Sequence, residues 1–138
     1  MLYFIAAGVL RLVDQGRIHL DDPIAKYIPS FANVKVFAGG TADAPVLEAP
    51  TSPLTVRQLL NHTSGLAYGL TAGPVDTIFS RAQLYDASRT LEQFTDSLAR
   101  LPLLFHPGSK YFKRTLRIEW FAVFGVHFRV FQYVGIVT

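Results

Sequence analysis

Leu54-Thr55-Val56-Arg57-Gln58-Leu59-Leu60-Asn61-His62-Thr63-Ser64-Gly65-Leu66 is the stretch that decides how the 138-residue chain is read. Thr55 and Gln58 have the spacing of a capping box, in which hydroxyl and amide reciprocally satisfy amides at a helix start. The box predicts a short helix carrying Leu59 and Leu60 and ending near Asn61. Beyond it, His62-Thr63-Ser64-Gly65 is a polar turn whose side chains suit hydrogen bonds to their own backbone.

Upstream, Ile5, Val9, Leu12 and Val13 recur at i, i+4, i+7 and i+8. They predict a helix over residues 2–15 with one buried stripe, ended by Gly16. Asp22 before Pro23 reads as an N-cap followed by an N1 proline, predicting a short helix over 23–27 that Pro29 stops. Short extended runs at 34–37 and 46–48 flank Gly39-Gly40 and predict a small hairpin near 34–48 with a loose loop. Downstream, a loop passes through Gly69 and Gly73-Pro74. Thr90 caps a helix over 91–101 with Phe94, Leu98 and Leu101 on one face, and Pro102 and the turn His106-Pro107-Gly108 close the region. The expected class is mainly α within an α+β whole.

Half of the residues are hydrophobic, 13% aromatic and 17% charged, which excludes intrinsic disorder. The length suits one domain. The absence of cysteine excludes a disulfide framework, thiolate zinc sites, iron–sulfur ligation and a cysteine nucleophile. The net charge of +3 belongs to one end, since Lys113, Arg114, Arg117 and Arg129 face Glu119 alone over 112–138 while charges cancel over 1–111. No nucleic-acid surface is therefore expected on the body. The same boundary divides other properties. All eight prolines precede it, and Phe112, Trp120, Phe121, Phe124, Phe128, Phe131 and Tyr133 follow it.

Residues 1–13 lack the basic start and small-residue cleavage site of a signal peptide. Residues 119–138 show strand alternation as much as helical pattern. A membrane span needs about 20 residues, and His127 and Arg129 would sit inside it, where arginine costs about 3 kcal/mol. Membrane association is not expected.

Several residues carry chemistry in principle. His62 and Ser64 invite a nucleophile-and-base reading, but adjacent side chains in a tight turn rarely reach that geometry, and turn-pinning is expected instead. Asp21 and Asp22 are paired carboxylates explained by helix capping. His19, His106 and His127 are isolated and lack metal-ligand spacing. No G-x-G-x-x-G, P-loop or G-x-S-x-G is present.

Leu12-Val13-Asp14-Gln15-Gly16-Arg17-Ile18, Leu20-Asp21-Asp22-Pro23-Ile24 and Tyr27-Ile28-Pro29 stand ahead of the quoted stretch, and Pro107-Gly108-Ser109-Lys110-Tyr111 stands after it. Together these segments resemble the β-lactamase-related serine hydrolases, comprising class C β-lactamases, D-Ala-D-Ala peptidases and family VIII carboxylesterases. The resemblance runs over about residues 5–111. It implies the helical region of the β-lactamase/penicillin-binding-protein-like fold, incomplete. It also implies an S-x-x-K nucleophile and lysine, a Y-x-N proton-transfer group and a K-T-G-like or H-x-G-like strand.

Carried over by position, the lysine would fall at Tyr3 and the serine one place before Met1. The tyrosine would fall at Lys113 and the asparagine at Thr115. No serine is followed three residues later by lysine, and no tyrosine two residues later by asparagine. No catalytic, cofactor-binding or metal residue is assigned, and no cofactor is expected.

The expected organisation is a partial β-lactamase-related domain over 1–111 and an unrelated apolar, basic tail over 112–138, of the kind a frame shift or read-through produces. The expected function is that of a serine-hydrolase fragment, inactive as given, with an ester or amide substrate only for the full-length parent. The alternative is a pseudoenzyme serving as a binding or scaffold protein. A molten or poorly soluble chain is also expected, because Ile5, Val9, Leu12 and Val13 would lose packing partners worth several kcal/mol at about 25 cal/mol per Å².

Overall fold

The computed structural model describes residues 2–67, 72–84, 86–112 and 132. Helix α1, Leu2–Asp14, buries Val9 and Leu12 and packs Val13 against the core. It ends as the sequence predicts. Gly16 takes a φ of +67°, and the amides of Gly16 and Arg17 bond back to the carbonyls of Val13 and Leu12 at 2.9 and 3.0 Å. Val9 and Leu12, expected to lose their packing partners, keep them, at 0% and 2% exposed. Residues of the same chain, among them Ile18, Ile24, Ile28 and Leu59, complete the core. The other face of α1 is the open one, with Phe4 82% and Leu10 46% exposed.

Single turns of 3₁₀ helix follow at Ile24–Lys26 and Pro29–Asn33. The hairpin pairs β1, Val36–Gly40, antiparallel with β2, Pro45–Glu48. Gly39 and Gly40 lie within β1 rather than in the loop: Gly39 opposes Val46, and a bulge falls between Phe37 and Gly39. Helix α2, Val56–Leu60, opens on the predicted capping box, with the Thr55 amide donating to Gln58 Oε1 at 2.9 Å.

Helix α3, Pro74–Arg81, stands where the sequence shows only turn signals. Gly73-Pro74 is its N-cap and first helical residue rather than a continuing loop. Val75 and Phe79, four apart, are its buried side. Helix α4, Leu91–Ala99, begins at the predicted Thr90 cap, which Gln93 completes as a capping box through bonds of 3.0 and 3.2 Å. It stops short of residue 101, but Phe94 and Leu101 still pack against the core beside the fully buried Leu98.

Backbone straps join the segments. The Ile24 amide donates to the Leu54 carbonyl at 2.8 Å, Val56 to Asp22 at 3.2 Å and Arg57 to Leu20 at 2.7 Å. On another side, Leu103 donates to Lys35 at 2.8 Å and accepts from Phe37 at 2.9 Å, running parallel to the start of β1. The stretch from Leu54 to Gly65 is thus tied to 20–24 before it and to 104–112 after it. The carbonyls of Thr63, Gly65 and His62 accept from Gly108, Leu104 and Phe112 at 2.7, 2.7 and 3.0 Å.

Gly65 permits that second tie. Its φ is +81°, and a Cβ there would stand 2.3 Å from the Phe105 carbonyl oxygen. Gly16 has a similar φ but open space around it. Gly16→Ala should therefore cost about 1 kcal/mol for the left-handed backbone alone, and Gly65→Ala about 2–4 kcal/mol because backbone must also move. Urea unfolding of both variants checks this, and equal losses would count against the close approach as the cause.

Candidate functional site

The turn after α2 is built by local bonds. The Asn61 side-chain oxygen accepts from the Thr63 amide at 3.2 Å and the Thr63 hydroxyl at 2.6 Å. Ser64 is 4% exposed, and its Oγ accepts from the Leu66 amide at 3.3 Å. This is the turn-pinning role expected of it, and a buried hydroxyl engaged this way is a poor nucleophile. His62 lies at a φ of +59° and turns its ring edge-on to Tyr111, centroids 6.3 Å apart at 87°. Tyr111 is 63% exposed. The turn therefore faces the segment leaving the Pro107-Gly108 corner.

The paired carboxylates do not cap a helix as the sequence suggests. Asp21 instead receives both Nε and Nη2 of Arg57, at 2.8 and 3.1 Å, and this guanidinium holds its carboxyl below the ordinary value. Asp22 Oδ2 reaches the Tyr27 hydroxyl, the His19 amide at 3.0 Å and Lys26 Nζ at 3.1 Å. A cap fails here because the residue preceding the turn is Pro23, already extended at φ −65° and ψ 139°. The carboxylate turns to those donors instead, and both acids have structural partners.

His106 is the histidine with the fullest set of described partners. Its Nδ1 accepts from the Thr51 amide at 3.2 Å, and its Nε2 lies 2.8 Å from Glu48 Oε1. His19 contributes its backbone amide to Asp22. His127, Lys113 and Thr115 lie outside the described residues, and Tyr3 falls in the first turn of α1. Among the described residues, no three His, Asp or Glu side chains are grouped to hold a metal ion. No helix among them is long and apolar enough to cross a membrane. Asp76, 4% exposed near the start of α3, carries a buried Oδ2 without a hydrogen-bond partner. Nothing local in the sequence marks it, because burial at that position depends on packing by distant segments.

Residues 3–112 match the model of the Beta-lactamase family. The chain belongs to that family. Among curated proteins it is 33% identical over 105 residues to the acyltransferase calJ of Penicillium decumbens, covering 74% of this chain and 24% of that one. It is 34% identical over 110 residues to esterase EstB of Burkholderia gladioli, covering 76% and 25%. Its fold resembles that of EstCE1, a hydrolase with promiscuous acyltransferase activity, with a TM-score of 0.65, 28% identity and coverage of 95% and 30%. The chain thus spans about a quarter of the length of the curated relatives it matches. The β-lactamase-like fold is represented here by four helices and a two-stranded antiparallel sheet among the described residues.

The Asp22 cluster gives a pH signature. The Tyr27 hydroxyl foremost, then the His19 amide and Lys26, pull the Asp22 carboxyl down to about 2 against the opposing effect of burial. Its folded value lies below the unfolded one of about 3.9, so its contribution is whole above that pH and fades as pH falls through about 2. Asp22→Asn should cost about 1–2 kcal/mol at neutral pH. Unfolding free energies of both proteins should converge between about pH 4 and pH 2, and a gap that stays constant there would refute the assignment.

Proposed function

We propose that this chain is a structural portion of a β-lactamase-type serine hydrolase or acyltransferase, and that the 138-residue chain by itself does not turn substrate over. The family match over residues 3–112 carries the first half of this reading. The second half rests on side chains. No serine stands three residues before a lysine, no tyrosine two before an asparagine, and the buried Ser64 hydroxyl is engaged in its own turn. Acyl transfer needs nucleophile, proton-transfer group and oxyanion hole together, and these act as a unit.

For the whole protein, the substrate class is a small-molecule ester or amide, as the esterase and acyltransferase names of the relatives suggest. Residues 112–138 form a separate segment, set apart by charge and proline usage. A second reading is a non-catalytic binding or scaffold unit. It draws on the core that the chain closes around Ile24, Ile28, Leu59 and Leu98, all nearly inaccessible to water.

Purified chain incubated with a chromogenic cephalosporin and a p-nitrophenyl ester should give no turnover above buffer and no labelling by a fluorophosphonate. Turnover abolished by that serine-directed reagent would overturn the inactive reading. Sequencing the transcript and locus beyond both ends should reveal S-x-x-K and Y-x-N coding runs. An intact transcript without them would favour the scaffold.

A further inference from the structure

We propose that His106 is a proton-sensitive latch that holds the loop over residues 49–54 against the Pro107-Gly108 corner. The ring joins its own segment to the end of β2 and the loop that follows it, more than 50 residues earlier in the chain. Nδ1 accepts the Thr51 amide at 3.2 Å, and Nε2 meets Glu48, at the end of β2, at 2.8 Å. An accepting Nδ1 has no proton, so the arrangement selects the neutral tautomer with Nε2–H donating to the carboxylate. A second tie joins the same partners: the Ser52 hydroxyl donates to the Pro107 carbonyl at 3.4 Å, a long and weak bond.

Protonation acts on the two sides of the ring differently. A proton on Nδ1 converts an acceptor into a donor facing the Thr51 N–H, and that bond is lost. The Nε2 contact becomes an ion pair and persists. Glu48 is the charged group that meets the ring from β2. Loop 49–54 has no ionisable side chain, and on the ring's own segment Lys110 is exposed while Tyr111 stands against His62. The charged ring therefore stays with β2 while Thr51 is released, the loop remaining held by the weak Ser52 bond and, at its end, by the Leu54 carbonyl on the Ile24 amide.

The release has a structural consequence. Thr51, Ser52 and Leu54 line a groove of about 390 Å³ together with Pro23, Phe31 and Val34. The latch thus sets how firmly the Thr51 part of that lining is held. The acceptor at Nδ1 also links the loop to the corner that Gly108 ties to the Thr63 carbonyl at 2.7 Å.

The test is a titration of the isotope-labelled full chain by NMR from about pH 8 to about pH 5, the range in which histidines change charge. The Thr51 amide and the His106 ring protons should shift with one midpoint. Thr51 exchange protection, corrected for intrinsic rates, should fall about fivefold across it, as loss of one hydrogen bond implies. His106→Asn puts a non-titrating acceptor oxygen near the place of Nδ1, so its Thr51 amide should show no step. A Thr51 amide that stays flat while the ring titrates would overturn the latch, as would a Thr51 step that survives in His106→Asn.

Discussion

The fold depends on the obligation of buried backbone groups to find partners. Residues 54–66 meet it in two directions. Their leading end pairs with 20–24, and their trailing carbonyls accept from 104, 108 and 112. Neither partner is close in sequence, so this stretch is what makes the described residues one body rather than a string of local elements. Its requirements are steric as much as chemical. Val56 and Leu59 fill the core, and Gly65 is bare because Phe105 backbone occupies the space of a side chain.

Legibility in the sequence followed the range of the interactions. The Thr55 capping box, the Thr90 cap and the Gly16 terminus were readable because partners three to five residues apart carry their own signal. The hairpin was readable in outline, but its register was not. A bulge between Phe37 and Gly39 accompanies the glycine pair's place in the strand, and only cross-strand packing reveals that. Helix α3 was missed because a glycine and a proline punctuate either a loop or a helix start, and eight residues give too short a period to choose.

The acids and histidines were the least legible. Asp22 carries the local signal of a cap, yet its oxygen is claimed by a tyrosine five residues on whose ring the core positions. Asp21 waits for an arginine 36 residues away, and His106 for a carboxylate 58 residues away. No periodicity encodes such pairs. They appear only once the straps bring the segments together.

The same contrast separates what family membership rests on from what catalysis requires. Membership is recognised by the residues that set backbone paths: the α1 terminus, the Asp22-Pro23 approach, the capped α2 and the turn to Gly65. These can persist as a closed core, because each contributes packing or a hydrogen bond locally and the contributions accumulate. Catalysis does not accumulate in this way. A nucleophile without its proton-transfer partner and oxyanion donors contributes little, since the groups stabilise one transition state jointly. Ser64 shows the distinction within one residue. It lies in the most recognisable segment of the chain, and its hydroxyl, buried and accepting the Leu66 amide, serves the path of the backbone. The rest of residues 54–66 follows the same logic, its capping box, its buried Leu59 and its bare Gly65 each fixing where the chain runs.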